Sequence, residues 1–214
     1  MPRKLSITAL QAIILPHARR FSRAVWPVWE DYIGRVPEEM RLKFDLKTEA
    51  NVLHRLMVAN VKREFDGVPG IYLVEENGFF VGIDGLSCGI DGQAACRLKK
   101  LNDGGHSRNY PTERALRIRR NETETLDLGL ADSTVVDVGY VLNALRTGFG
   151  DVQAVRVVDE AFVMNFPRDK NRTITMPQPI HGSNTERSAG KRFTISPRKQ
   201  KSSKPTGQEP GQEL

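Results

Sequence analysis

Residues 97–120 hold eight cations (Arg97, Lys99, Lys100, Arg108, Arg114, Arg117, Arg119 and Arg120) against two acids, Asp103 and Glu113. Within this block, Asn102-Asp103-Gly104-Gly105-His106-Ser107-Arg108-Asn109-Tyr110 places two glycines, a hydroxyl, a guanidinium and an aromatic ring just ahead of a predicted helix. The first turn of a helix offers unpaired N–H groups that favour an anion, and an aromatic ring can stack on a base. Lys99, Lys100, Arg108, Arg114 and Arg117 are therefore the candidate phosphate- or nucleic-acid-binding residues, with Tyr110 placed to stack. The following stretch, Asn121 to Asp137, carries five acids (Glu122, Glu124, Asp127, Asp132, Asp137) and no cation. The competing reading is that the two blocks neutralise each other within the fold.

His54 and Tyr110 are the candidates for a catalytic role. On a helical wheel His54 falls beside Ala50, Met57, Val58 and Val61 rather than among charged residues. A half-buried imidazole titrates near neutral pH and serves as a general acid or base, although a hydrogen-bonded core histidine has the same pattern. Glu75-Glu76, Asp84 and Asp91 precede Lys99 and Lys100, the acid-then-lysine order of metal-dependent nucleases, but the Glu-x-Lys ending is missing. Both aspartates precede glycine, where turn chemistry accounts for them. The chain has no nucleophile elbow, Walker-type loop, dinucleotide fingerprint or His-Glu-x-x-His motif. Its four histidines are scattered and its two cysteines, Cys88 and Cys96, lack paired spacing, so neither a metal centre nor a disulfide framework is indicated. No cofactor is indicated either.

The elements that must position these residues are legible in part. Residues from about Ile7 to Phe65 read as helices, with Phe21, Val25, Val28, Trp29 and Tyr32 at helical spacing and Pro16 and Pro27 as breaks. From about Thr48, Leu53, Met57, Val61 and Phe65 make one stripe, stopped by Asp66-Gly67-Val68-Pro69-Gly70. Short β-prone runs follow, Ile71–Glu75, Phe79–Ile83, Leu86–Ile90 and Gln93–Leu98, cut by Asn77-Gly78, Asp84-Gly85 and Asp91-Gly92. These dipeptides suit tight hairpin turns, which predicts a meander. Gly-Ile-Asp-Gly occurs twice, at residues 82–85 and 89–92, and reads as a duplication lengthening one hairpin. A helix capped by Thr112 and three further strands, Val135–Leu142, Val152–Val158 and Ala161–Phe166, complete the pattern.

The fold class expected is α+β: N-terminal helices packed on an antiparallel, hairpin-rich sheet, with a disordered C-terminal tail. Residues 1–46 form a helical segment, residues 47–166 the mixed core of the same domain, and residues 167–214 a basic tail. The 39% of hydrophobic residues suffices for one core. From Pro167 onward there are ten cations, four acids and one aromatic residue, Phe193, too little apolar surface to offset ordering. That tail carries the whole net charge of +6. No apolar run approaches the roughly 18 residues that span a bilayer. The basic-then-apolar start is interrupted by Thr8 and Gln11 and followed by His17, Arg19 and Arg20, unlike a cleaved leader. A cytoplasmic protein with reduced thiols and no membrane contact is expected.

Leu98-Lys99-Lys100-Leu101, Ser107-Arg108-Asn109-Tyr110-Pro111-Thr112 and Gly139-Tyr140 carry one resemblance. The chain resembles a bacterial family whose members bear Phe-Lys-Lys-Leu, then Arg-Asn-Tyr-Pro-Thr, then a Gly-Tyr strand. The resemblance covers about Asn51 to Phe166, with Leu98 in place of the usual Phe and the repeated Gly-Ile-Asp-Gly as an insertion. Such genes neighbour one for a helix-turn-helix protein with a zinc-peptidase-like domain, as in toxin–antitoxin or phage-defence pairs. The resemblance implies an effector-like protein with a regulator as partner and assigns no reaction. From a different class comes a non-catalytic protein–protein interaction domain that docks by its strands or its N-terminal aromatic helix.

Overall fold

A computed structural model of the chain describes residues 4–75, 78–107, 112–120 and 133–168, apart from the side chains of Arg114 and Arg119. These residues belong to one compact unit. The helical region divides where proline removes a backbone donor and fixes φ. Helix α1 (Ile7–Ile14) runs into a 3₁₀ turn (Leu15–His17) that contains Pro16, α2 (Ala18–Val25) stops before Pro27, and Pro27 and Pro37 precede α3 (Val28–Arg35) and α4 (Glu38–Arg41). Helix α5 (Leu46–Phe65) starts two residues before Thr48 because Asp45 is its N-cap, its carboxylate accepting from the Thr48 N–H at 2.7 Å. The predicted stripe, Leu53, Met57, Val61 and Phe65, is buried.

The sheet runs β1 (Ile71–Val74), β2 (Phe80–Asp84), β3 (Gln93–Lys100), β4 (Ser133–Leu142), β5 (Phe149–Arg156) and β6 (Ala161–Asn165), each strand beside its neighbour in sequence. With the helices this makes the α+β fold expected. Four pairings are antiparallel, but the central one, β3 with β4, is parallel, with Gln93 opposite Ser133 and Lys100 opposite Tyr140. A parallel pair needs a long crossover. Here it contains α6 (Glu113–Arg119), whose N-cap, Thr112, accepts from the Ala115 N–H at 3.2 Å.

The strand expected at Leu86–Ile90 does not form. The Asp84 carboxylate accepts from the Leu86 N–H at 2.9 Å, which turns the chain out of β2 into a 3₁₀ turn at Leu86–Cys88, closed by left-handed Gly89. A side-chain acceptor two residues back competes with strand pairing. The two Gly-Ile-Asp-Gly copies therefore build a loop between β2 and β3 rather than a longer hairpin. In that loop Gly85 donates to the Gly92 carbonyl, and a Cβ on Gly85 would meet the carbonyl oxygens of Gly92 and Ile90 at 2.6 Å.

Residues alternate between the faces of a sheet. Ala94, Cys96 and Leu98 of β3 and Val136, Val138 and Tyr140 of β4 join the main core with α1, α2, α3 and α5. Ala95 and Val135 join a smaller cluster on the other face with Phe80, Ile118 of α6 and Val157. The first and the last of the described residues are sewn into this arrangement. Leu5 N–H donates to Thr134 Oγ1 at 2.9 Å, Trp26 Nε1 to the Phe166 carbonyl at 2.7 Å and Ser22 Oγ to the Pro167 carbonyl at 2.6 Å, while Arg168 pairs with Glu30 at 2.7 Å. The packed chain thus continues to Arg168, and the rest of the expected tail lies outside the described residues.

A chain ending after Arg168 is expected to keep the urea midpoint of the full-length protein. One ending after Asn165 loses Phe166, which is buried against Phe21 at 5.3 Å, and is expected to lose about 3–5 kcal/mol, the range for truncating a core phenylalanine. Equal midpoints for the two truncations would contradict this.

Candidate functional site

The basic block does not act as one surface. Arg97 lies on the face of the smaller cluster and makes a two-pronged pair with Asp137 of β4, Nε to Oδ1 at 2.7 Å and a terminal nitrogen to Oδ2 at 2.9 Å. Both side chains are buried, at 10% and 3% exposure. Asp137 belongs to the acidic stretch, so at this point the two blocks do neutralise each other. Burial, and then the Asp137 charge, push the Cys96 thiol well above its ordinary pKa, which keeps it protonated and unreactive. On α6, Arg117 pairs with Glu113 one turn away at 3.2 Å, and Ile118 fixes that helix to the same face as Arg97.

Lys100 goes elsewhere. It alternates with Leu98 onto the helical face, at the end of β3 opposite Tyr140, and feels the charges of groups on other elements. Glu49 comes from the first turn of α5, Tyr140 from β4, and Arg146 from the turn between β4 and β5. That turn is tightly made: Asn143 N–H donates to the Gly148 carbonyl, Arg146 N–H to the Asn143 carbonyl and Thr147 N–H to Asn143 Oδ1, each at 2.9 Å. It holds Arg146 at φ 55°, a left-handed conformation that residues other than glycine adopt at a cost of about 1–2 kcal/mol. The guanidinium reaches to 3.7 Å from Glu49, beyond hydrogen-bond distance, and remains about half exposed.

The charges of this group act on one another. Lys100 is lowered from its ordinary pKa by burial and then by Arg146, with Glu49 opposing. Burial and Glu49 raise Tyr140 and Tyr32, which therefore stay protonated and able to donate. Tyr140 is fully buried, its ring stacked on Phe149 at 4.2 Å, and Trp29 meets Phe149 edge-on at 5.9 Å. The Tyr140 hydroxyl and Glu49 Oε1 are buried with no hydrogen-bond partner among the described residues. Sequence reading missed Glu49, Tyr140 and Arg146, which lie on three elements and share no local motif. Only the Gly139-Tyr140 pair had been singled out.

His54, on α5, is half-buried, and its Nδ1 likewise has no hydrogen-bond partner among the described residues. Burial, then the charges of Lys99 and Arg55, hold its pKa below the ordinary 6.5, so at neutral pH the imidazole is uncharged and able to accept a proton. His17 is lowered in the same direction by burial and Arg20. Just below pH 6.5 the unfolded chain therefore binds more protons than the fold, and stability falls as pH drops through that window. The urea midpoint is expected to hold above the ordinary histidine pKa of 6.5 and to decline as pH falls below it, and His54→Gln and His17→Gln together should flatten that decline. An unchanged slope in the double variant would refute the assignment.

Of the remaining expected site residues, Arg108, Tyr110 and the Arg114 side chain lie outside the described residues. The acid-then-lysine arrangement is not assembled by Asp84 and Asp91. Asp84 faces Gln93 at the far end of β3 from Lys99 and Lys100, roughly 20 Å away at the rise of a strand, and Asp91 lies in the loop before Gln93. Glu75 is taken up by Lys62 at 2.6 Å. No group of three or more His, Cys, Asp or Glu suited to a metal occurs among the described residues. Nor is any of their helices long and apolar enough to cross a membrane. No protein-family model, curated protein or solved structure matches this chain.

Proposed function

We propose that this protein is the effector-like member of a two-gene bacterial module and that it engages nucleic acid or a nucleotide phosphate in the cytoplasm. The observation that carries the reading is the cationic end of the parallel pair. Lys99 and Lys100 close β3 beside the end of β4, where the next turn holds Arg146 in a left-handed conformation. The loop Asn102–His106 leaves from the same end, its Asn102 carbonyl oxygen Oδ1 accepting from the His106 N–H at 2.8 Å. The family resemblance through Lys-Lys-Leu, Arg-Asn-Tyr-Pro-Thr and Gly-Tyr supports the two-gene setting and a regulator as partner.

The test is growth of cells expressing the chain with and without a neighbouring regulator gene, followed by binding of single-stranded nucleic acid to the chain ended at Arg168. Ending the chain there removes the cations of the tail, which would bind phosphates on their own account. Toxicity relieved by the neighbour is expected, as is binding that weakens with salt and is lost in Lys99→Ala and Arg108→Ala at an unchanged urea midpoint. Full binding in both variants would reject the reading.

A second reading, a non-catalytic interaction domain, has its own observation in Leu42 and Leu145, each 81% exposed. Its aromatic-helix version loses support, because Phe21 and Tyr32 are buried in the core.

A further inference from the structure

We propose that His106 and Glu160 act as a general acid–base pair that cuts single-stranded RNA, passing its phosphodiester from the 5′ oxygen to the adjacent 2′ oxygen. The inference rests on the nucleic-acid reading above and adds a reaction to it.

His106 closes the loop that follows β3, and the loop is held in place on several sides. Asn102 N–H donates to the His106 carbonyl at 2.9 Å, His106 N–H to Asn102 Oδ1 at 2.8 Å and Gly105 N–H to the Asn102 carbonyl at 2.8 Å. Gly105 lies at φ 78° and so near Gln153 of β5 that a Cβ would run into the side-chain amide. In this frame the imidazole Nδ1 faces Glu160 Oε2 at 3.5 Å, and the two side chains are 40% and 43% exposed. Nδ1 has no surface of its own, so the exposure of the ring lies on the side away from the carboxylate, where Nε2 is. A carboxylate at Nδ1 holds the proton there and leaves Nε2 its lone pair, the arrangement of a base with its orienting group. At 3.5 Å the contact is longer than a hydrogen bond, as such pairs are before substrate tightens them. Glu160 is itself held at φ 55°, a left-handed conformation in which glycine alone is free of strain.

Register sets the pair beside the cationic end of the sheet. Lys99, Gly139, Gln153 and Asn165 form one row across β3, β4, β5 and β6. Lys99 and Gln153 therefore leave the same face two strands apart, about 10 Å, with no side chain on Gly139 between them. A nucleic-acid strand covers that distance in about three nucleotides. The pair moves a proton and supplies no attacking atom, so the substrate must bring its own, and RNA does so in its 2′-hydroxyl. Nε2 of His106 takes the 2′ proton as the 2′ oxygen bonds to phosphorus. The bond from phosphorus to the 5′ oxygen breaks, and the same proton passes from Nε2 to that leaving oxygen. The products are a 2′,3′-cyclic phosphate and a 5′-hydroxyl end, and no other reactant is consumed.

The experiment incubates the full chain at neutral pH with an end-labelled single-stranded RNA and with the same sequence bearing 2′-O-methyl groups throughout, and measures the binding of both. Both are expected to bind, and only the unmethylated RNA to be cut, leaving cyclic-phosphate ends. His106→Ala should lower the cleavage rate about a hundredfold or more while leaving the affinity for the methylated strand nearly unchanged. Glu160→Gly should slow cleavage and move its pH profile without lowering the urea midpoint, since glycine relieves the left-handed conformation. A merely structural Glu160 would leave the pH profile where it was. Binding of both strands with no cleavage, or cleavage that survives His106→Ala, would overturn the inference while the nucleic-acid reading stands. Failure to bind either strand would overturn both.

Discussion

Asp137→Ala is expected to lower the unfolding free energy by about 3–5 kcal/mol, enough to leave a domain of ordinary stability marginal or unfolded. The reason is the partner left behind. Arg97 is buried against the smaller cluster, its Nε and one terminal nitrogen bonded to the two carboxylate oxygens at 2.7 and 2.9 Å. Truncating the aspartate strands a guanidinium that cannot lose its charge. Replacing both partners by apolar residues of similar volume, Arg97→Met with Asp137→Leu, should recover most of the loss, since the pair repays its own desolvation and little more. Urea midpoints of the single and double variants, compared at constant m, measure both effects. A loss below about 1 kcal/mol in the single variant, the size of an exposed pair, would refute the burial.

Gly139→Ala is the second large effect, at about 3 kcal/mol. A Cβ there would run into the Lys99 carbonyl oxygen and lie 2.8 Å from its carbon, with Leu101 Cγ at 3.2 Å. The first two obstacles are backbone, so no rotamer change relieves them and β3 and β4 must separate at their central parallel pairing. The same displacement moves Lys99 and Lys100. The proposed phosphate binding should therefore fall together with stability, whereas Asp137→Ala, which removes the partner of Arg97 rather than moving the end of β3, should weaken it only in proportion to the unfolded fraction. A Gly139→Ala variant with an unchanged midpoint would contradict the close approach.

These two sites mark where sequence reading reached and where it stopped. Period and punctuation were sufficient for α5, for α6 with its Thr112 cap and for the last three strands, because burial stripes and turn residues are local properties. The same reasoning turned Leu86–Ile90 into a strand, since the competition from the Asp84 carboxylate depends on where that side chain lands. The parallel pairing of β3 with β4 left no local mark, as its partners are separated by the whole crossover. The cationic block was visible as composition, yet composition gave no hint that Arg97 and Lys100 occupy opposite faces. Glu49 and Arg146 belong to no local motif, and their convergence with Lys100 and Tyr140 comes from the α5 start, the β4–β5 turn and the register of the parallel pair.

The order of the strands also bears on how the chain is made. Every strand pairs with its neighbour in sequence, so five of the six elements of the sheet join by hairpin closure or, at β3–β4, by closing a loop of about thirty residues, whose entropic cost grows only with the logarithm of its length. The N-terminal helices are different. Leu5 bonds to Thr134 and to Arg156, Gln11 to the Val163 carbonyl, Trp26 to the Phe166 carbonyl and Ser22 to the Pro167 carbonyl. The N-terminal helices thus wait for the last strand of the sheet. Until that strand has joined, Phe21 of α2 lacks its Phe166 neighbour, and the apolar surface of the helices is open to chaperones.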